Sequence, residues 1–318
     1  MVHREPLKGI FVPLVTPFTA DGDIAIDALE SLANQVLDEG ATGLVALGTT
    51  GEPAALDSDE KRAVLDVCAA VCRARDATLI VGAGDNNTRT TAAALHALGS
   101  RPEVAAALVP VPYYTRPSEA GVLAHFTELA ATSPVPLIIY HIPYRTARSL
   151  SAHTLRHIGL LPAVVAVKYA IGGIDADTID LLGDLPPEFT VLAGDDQFFS
   201  PLLALGATGG ILATAQLTTA PFVATAAAWA AANNTVARDL GAGLARVAAA
   251  AFREPNPTVI KAVLHAQGRI PAPDVRLPLL PAAPEVVEQT MKLLAELPQA
   301  HSAHPQSTRQ PPHRTWCS

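Results

Sequence analysis

Apolar residues in this chain come in short unbroken runs rather than in strict alternation with polar ones. Eight runs recur: "GIFVPLV" from Gly9, "TGLVAL" from Thr42, "ATLIVG" from Ala77, "AAALVP" from Ala105, "PLIIYH" from Pro136, "AVVAVK" from Ala163, "FTVLAG" from Phe189 and "GGILA" from Gly209. Strands buried on both faces of a parallel sheet read this way. Between the runs the period changes to that of a helix. Leu29, Leu32, Ala33, Val36 and Leu37 fall on one face, with Asp27 placed to cap that helix and Gly40 to end it. Ser58 is placed to cap the next.

Seven of the eight runs are clearly followed by a helix-like segment, which predicts a (β/α)8 barrel over residues 9–218. A doubly wound open sheet is the alternative. From Thr219 to Leu297 the chain turns alanine-rich without strand patterning and is expected to form a C-terminal helical region. Residues 1–8 read as an N-terminal extension, and 298–318, polar and proline-rich, as a disordered tail.

Composition narrows the function. With 318 residues, 49% hydrophobic and 16% charged, the chain can bury a large core. Its net charge of -8, without basic clusters interleaved with aromatics, argues against nucleic acid or an anionic membrane as partner and for a small ligand. The longest apolar stretch, "FVATAAAWAAA", is too short for a membrane span, and the N-terminus lacks the apolar core of a signal peptide. Cys68 and Cys72 share a helical face with Val64, Val67 and Val71, which makes them core residues in a reducing cytoplasm. The tail histidines have no metal-ligand spacing.

Reactive groups of such a barrel sit at the C-terminal ends of its strands. The second run leads into "GTTGEP", where Thr49 and Thr50 stand among glycines that let backbone amides approach a ligand. The plainer reading is a tight turn. The fourth leads to "PVPYYTRPSEAG", placing Tyr113 and Tyr114 in a loop, as packing residues or at a subunit interface. The fifth ends at Tyr140, with Arg145 following as a carboxylate-binding guanidinium or a surface ion-pair partner. The sixth ends at Lys168, beside Tyr140 if the register is that of a barrel. A buried strand-end lysine with a tyrosine hydroxyl nearby is a candidate Schiff-base nucleophile; alone, it reads more simply as a lysine reaching solvent. In "LAGDDQFF" Gly194 permits close approach, and Asp195 or Asp196 reads as a helix cap. Gly209 and Gly210, before Ile211, leave room for a small ligand.

In this order, "GTTGEP", "PYYTRPS", "YHIPYRT", the lysine closing the sixth run, "GDD" and the glycine pair resemble the dihydrodipicolinate synthase and N-acetylneuraminate lyase family of class I pyruvate aldolases. The resemblance runs from residue 9 to about 281. It implies a Schiff base between Lys168 and pyruvate, with Tyr140 as the catalytic tyrosine above it. It further implies that Thr50 links Tyr140 to Tyr114 of a neighbouring subunit, and that Thr49 and Thr50 hold the pyruvate carboxylate. Arg145 matches the residue that binds the carboxylate of an acidic aldehyde. Gly194 and Ile211 match substrate-binding positions. No cofactor or metal is implied, and the expected assembly is a dimer of dimers.

Departures bear on the second substrate. His141 replaces the usual asparagine, Tyr144 a small residue and Tyr169 a glutamate, all read as changes around the pocket. Ser58, Lys61 and Thr90 stand where lysine-regulated members carry histidines and a glutamate, so strong lysine inhibition is not expected. Two rival readings are an aldolase or dehydratase acting on a 2-keto-3-deoxy sugar acid, and a non-enzymatic keto-acid sensor.

Overall fold

The structure, a computed structural model, describes residues 6–298. The expected tail beyond Pro298, with Cys317 and the tail histidines, lies outside the described residues. The chain alternates strand and helix. Its first half contains β1 (Gly9–Pro13), α1 (Ile26–Asp38), β2 (Gly43–Ala46), α2 (Ser58–Arg75), β3 (Thr78–Gly82), α3 (Thr88–Leu98), β4 (Val104–Pro110) and α4 (Glu119–Thr132). Next come β5 (Leu137–His141), α5 (Pro143–Thr146), α6 (Ala152–Gly159), β6 (Val164–Tyr169), α7 (Ala176–Gly183), β7 (Thr190–Ala193), α8 (Phe199–Ala204) and β8 (Gly209–Ile211). Helices α9 (Thr219–Ala230), α10 (Asn234–Ala251), α11 (Thr258–Ala266) and α12 (Pro284–Ala295) follow.

All neighbouring strands pair in parallel, and β1 pairs with β8, so the sheet closes into a (β/α)8 barrel rather than opening as a doubly wound sheet. The closing pairs are Gly9 with Gly209, Ile10 with Gly210 and Phe11 with Ile211. The strands are apolar on both faces because each face meets its own core. Phe11, Val45, Ile80, Ile138, Leu192 and Ile211 fill the interior. Val12, Leu44, Leu79, Leu137, Val167 and Val191 pack outward against the helices. Since side chains alternate along a strand, this division decides which strand-end residues face the barrel axis.

Two local expectations are corrected. Asp27 does not cap α1; the cap position is Ala25, and Asp27 lies in the first turn, where its charge still favours the helix dipole. Helix α2 is capped by Asp57, in a reciprocal capping box with Glu60, rather than by Ser58. Gly40, with φ of +96°, does end the α1 segment. Helix α9 packs on β1 and α8, with the Phe199 and Phe222 ring centroids 5.6 Å apart, so it completes the barrel's outer ring. Its alanine-rich composition hid that role. Cys68 and Cys72 are buried free thiols on α2, as expected.

Candidate active site

Tyr140 and Lys168 are register partners on β5 and β6. The same parity that puts Ile138 and Ala166 inside the barrel turns both toward its axis. Lys168 is 6% exposed, and its Nζ lies 4.3 Å from the centroid of the Tyr140 ring. Burial pushes its amine down to about 8; Asp196 and Asp195 oppose that shift. Gly194 makes room for the lysine: a Cβ there would come within 2.8 Å of Lys168 Cγ.

The Tyr140 phenol is pushed up to about 12, chiefly by burial, with a hydrogen bond to Thr49 and the charge of Arg145 acting the other way. The threonine hydroxyl that acts on Tyr140 is therefore that of Thr49, where the expected link ran through Thr50. Thr49–Gly51 form a tight helical turn after β2. Its curvature points successive side chains apart, so the Thr50 hydroxyl instead accepts a 2.9 Å hydrogen bond from Asn256 Nδ2. Thr49, Tyr140, Arg145, Ile142 and Tyr113 line one cavity of about 690 Å³ at this end of the barrel. Lys168 is not among the residues that line this cavity, although its Nζ is against the ring of Tyr140, which does line it.

Ile211, Tyr114, Asp195 and Asp196 do not line that cavity. Ile211 is fully buried in the barrel interior. Tyr114, with φ of +64°, is 90% exposed and, unlike Tyr113, is not among the residues lining that cavity. Asp195 and Asp196 do not cap a helix with their side chains. Asp195 Oδ2 accepts from the Gly172 N–H at 2.6 Å, and Asp196 Oδ2 accepts from both the N–H and the hydroxyl of Thr214, each at 2.6 Å. Burial pushes the Asp196 carboxyl up to about 6. Among the described residues, no group of three or more His, Cys, Asp or Glu side chains is arranged to hold a metal ion.

The family model for the dihydrodipicolinate synthetase family matches residues 6–297. The chain belongs to that family. The 4-hydroxy-tetrahydrodipicolinate synthase of Salinibacter ruber is 37% identical over 286 residues, covering 88% of this chain and 92% of the relative. That of Neisseria meningitidis serogroup B is 36% identical over 277 residues, covering 86% and 93%. Among solved structures, the dihydrodipicolinate synthase of Thermotoga maritima superposes with a TM-score of 0.87 at 28% identity, covering 91% of this chain and 98% of that one. The Acinetobacter baumannii enzyme, solved in complex with pyruvate, gives 0.85 at 32%, with the same coverages.

Against this family background, two departures lose their place at the pocket. His141 and Tyr169, one residue beyond Tyr140 and Lys168, have the opposite parity and face the outer helices. Tyr169 is 3% exposed, and its hydroxyl pairs with that of Thr178 on α7 at 3.1 Å. His141 lies against it, with ring centroids 5.7 Å apart, and burial pushes its imidazole down to about 4. Tyr144 is 61% exposed, and the Arg145 guanidinium lies 5.5 Å from its ring centroid.

Sequence reading missed Glu52, Asn256 and Lys261, which brace the Thr49–Gly51 turn. One signal was present: Lys261 interrupts an otherwise apolar face of "TVIKAVLHA", between Val259, Ile260, Val263 and Leu264.

Proposed function

We propose that the protein condenses pyruvate with L-aspartate 4-semialdehyde, the reaction of a 4-hydroxy-tetrahydrodipicolinate synthase. The observation that carries this reading is the buried Lys168 amine set against Tyr140 at the C-terminal mouth of the barrel. An amine with a lowered pKa is available as a nucleophile near neutral pH. It attacks the keto carbon of pyruvate, and loss of water from the carbinolamine gives the imine. Tyr140, hydrogen-bonded to Thr49, supplies and accepts the protons of these steps. Loss of a methyl proton then gives an enamine, whose carbon attacks the aldehyde. Arg145, in the same cavity wall, holds the aldehyde's carboxylate. The aldehyde's own amino group can then attack the imine carbon, closing a ring and releasing Lys168.

Tyr114 belongs to this reading as a residue supplied to the relay by a second copy of the chain, within a dimer of dimers. Its 90% exposure leaves it available for such a contact. One similar solved structure, at a TM-score of 0.86, is a monomeric dihydrodipicolinate synthase variant, so assembly size is tested separately by sedimentation. A cytoplasmic setting is part of the same reading, in keeping with the free thiols of Cys68 and Cys72. The sugar-acid alternative loses part of its motive, because Tyr169 faces away from the cavity.

Mass spectrometry after incubation with pyruvate and borohydride tests the mechanism. A reduced adduct on Lys168, together with turnover of aspartate semialdehyde, is the expected result. Absence of an adduct in folded protein would overturn it.

A further inference from the structure

The turn that presents Thr49 is held from a distant part of the chain. Asn256 Nδ2 donates to Thr50 Oγ1, Lys261 Nζ to Glu52 Oε1 and the Arg276 backbone N–H to Glu52 Oε2, each at 2.9 Å. These partners lie 206, 209 and 224 positions away in sequence. The Lys261–Glu52 ion pair is almost wholly removed from water, with side-chain exposures of 0% and 3%. The Lys261 ammonium also lies 3.8 Å from the centroid of the Phe18 ring. Glu52 itself is held in the left-handed region, at φ 53° and ψ 40°, a conformation that persists for such a residue only where its surroundings over-determine it.

A buried ion pair is a poor device for stability alone, since packed apolar residues of similar volume do as well or better. What it supplies here is fixed geometry: two carboxylate oxygens and one hydroxyl, each tied to a separate donor. We propose that Lys261 and Asn256 are positioning residues, which hold the Thr49–Glu52 turn so that Thr49 stays on Tyr140 and the turn's polar groups converge on the keto acid. This inference rests on the function read above. The segment beyond the barrel is thereby a working part of the site, although it contributes no group that reacts.

Lys261→Met and Asn256→Ala in the full chain test the assignment through two readouts. Hydrogen exchange at the Gly51 and Glu52 amides, which close the turn onto Gly48 and Thr49, should quicken at least tenfold, with the amides of β5 and β6 unchanged. The pyruvate concentration giving half-maximal borohydride-trapped adduct should rise at least fivefold, while saturation by the aldehyde shifts less than twofold. Unchanged exchange at the turn overturns the proposal, as does a loosened turn with unaltered trapping. Should Lys261→Met fail to fold, Asn256→Ala, which removes one hydrogen bond, decides it on the same criteria. If the wild type traps no keto acid, the functional reading falls, and turn exchange still decides whether these residues hold the turn.

Discussion

Lys168 Nζ lies 4.3 Å from the centroid of the Tyr140 ring, because the two residues are register partners on adjacent parallel strands and share an inward parity. This one relationship fixes three properties of the site. It buries the amine, puts a phenol beside it, and leaves Tyr140 as the group facing the cavity where a second substrate would arrive.

Lys168 has a cost in stability that can be read by pH. Its folded pKa, about 8, lies below its ordinary value of 10.5. Between those values the unfolded chain binds more protons, so stability rises with pH across that window, and the full cost is present below about 8. The shift corresponds to on the order of 3 kcal/mol. Asp196 loses a nearby positive charge when the lysine is replaced, so Lys168→Met should gain only about 1–3 kcal/mol at pH 7. The variant's stability should also lose its rise above pH 8. Denaturant melts at pH 7 and pH 9.5 check both statements. Turnover should fall on the order of 10³-fold or more, and in the wild type the rate of imine formation should climb through about pH 8.

Thr49 and Thr50 should separate kinetically. Thr49→Val removes the hydrogen bond to Tyr140 and should lower kcat on the order of 10²-fold. Thr50→Val loses the partner of Asn256 and should chiefly raise the KM for pyruvate. Steady-state kinetics of the two variants decide the matter, and an equal loss of kcat in both would restore Thr50 to the relay.

The barrel was legible because strands with two buried faces leave unbroken apolar runs, and Lys168 stood out as a charge at the end of one. Parity was harder to read. Tyr140 and His141, or Lys168 and Tyr169, are neighbours in sequence with opposite directions in space, and an apolar run buried on both faces carries no alternation to tell them apart. Telling Thr49 from Thr50 is hard for a related reason: a tight turn separates adjacent side chains by an angle the motif does not encode. The brace from Asn256 and Lys261 depends on contacts more than 200 positions apart, beyond any local pattern.

Arg145 lines the cavity near Tyr140, and its charge is felt by both Tyr140 and Lys168. Arg145→Ala should raise the KM for the acidic aldehyde at least tenfold, as expected for loss of a charge-assisted carboxylate contact of about 1.5–3 kcal/mol. Trapping of pyruvate on Lys168 should change less than threefold, because the imine forms without the aldehyde. Loss of trapping in this variant would assign Arg145 to the keto acid instead.

Tyr169 offers the sharpest test of parity. The family's glutamate at this position and the strand-end location invite a role in substrate choice, but the hydroxyl is bonded to Thr178 on α7, behind the barrel wall. Burial pushes the phenol up to about 12, so it stays neutral across the working range and carries no charge toward the pocket. Tyr169→Phe removes the hydroxyl while keeping the ring against His141. It leaves the Thr178 hydroxyl one partner short, although that hydroxyl still pairs with Asp175 at 2.8 Å. The expected loss is therefore about 0.5–1.5 kcal/mol of stability, read from a denaturant midpoint, with kcat/KM for both substrates within twofold of the wild type. A changed preference among aldehydes at unchanged stability would mean that Tyr169 does reach the pocket, and would return the sugar-acid reading to contention.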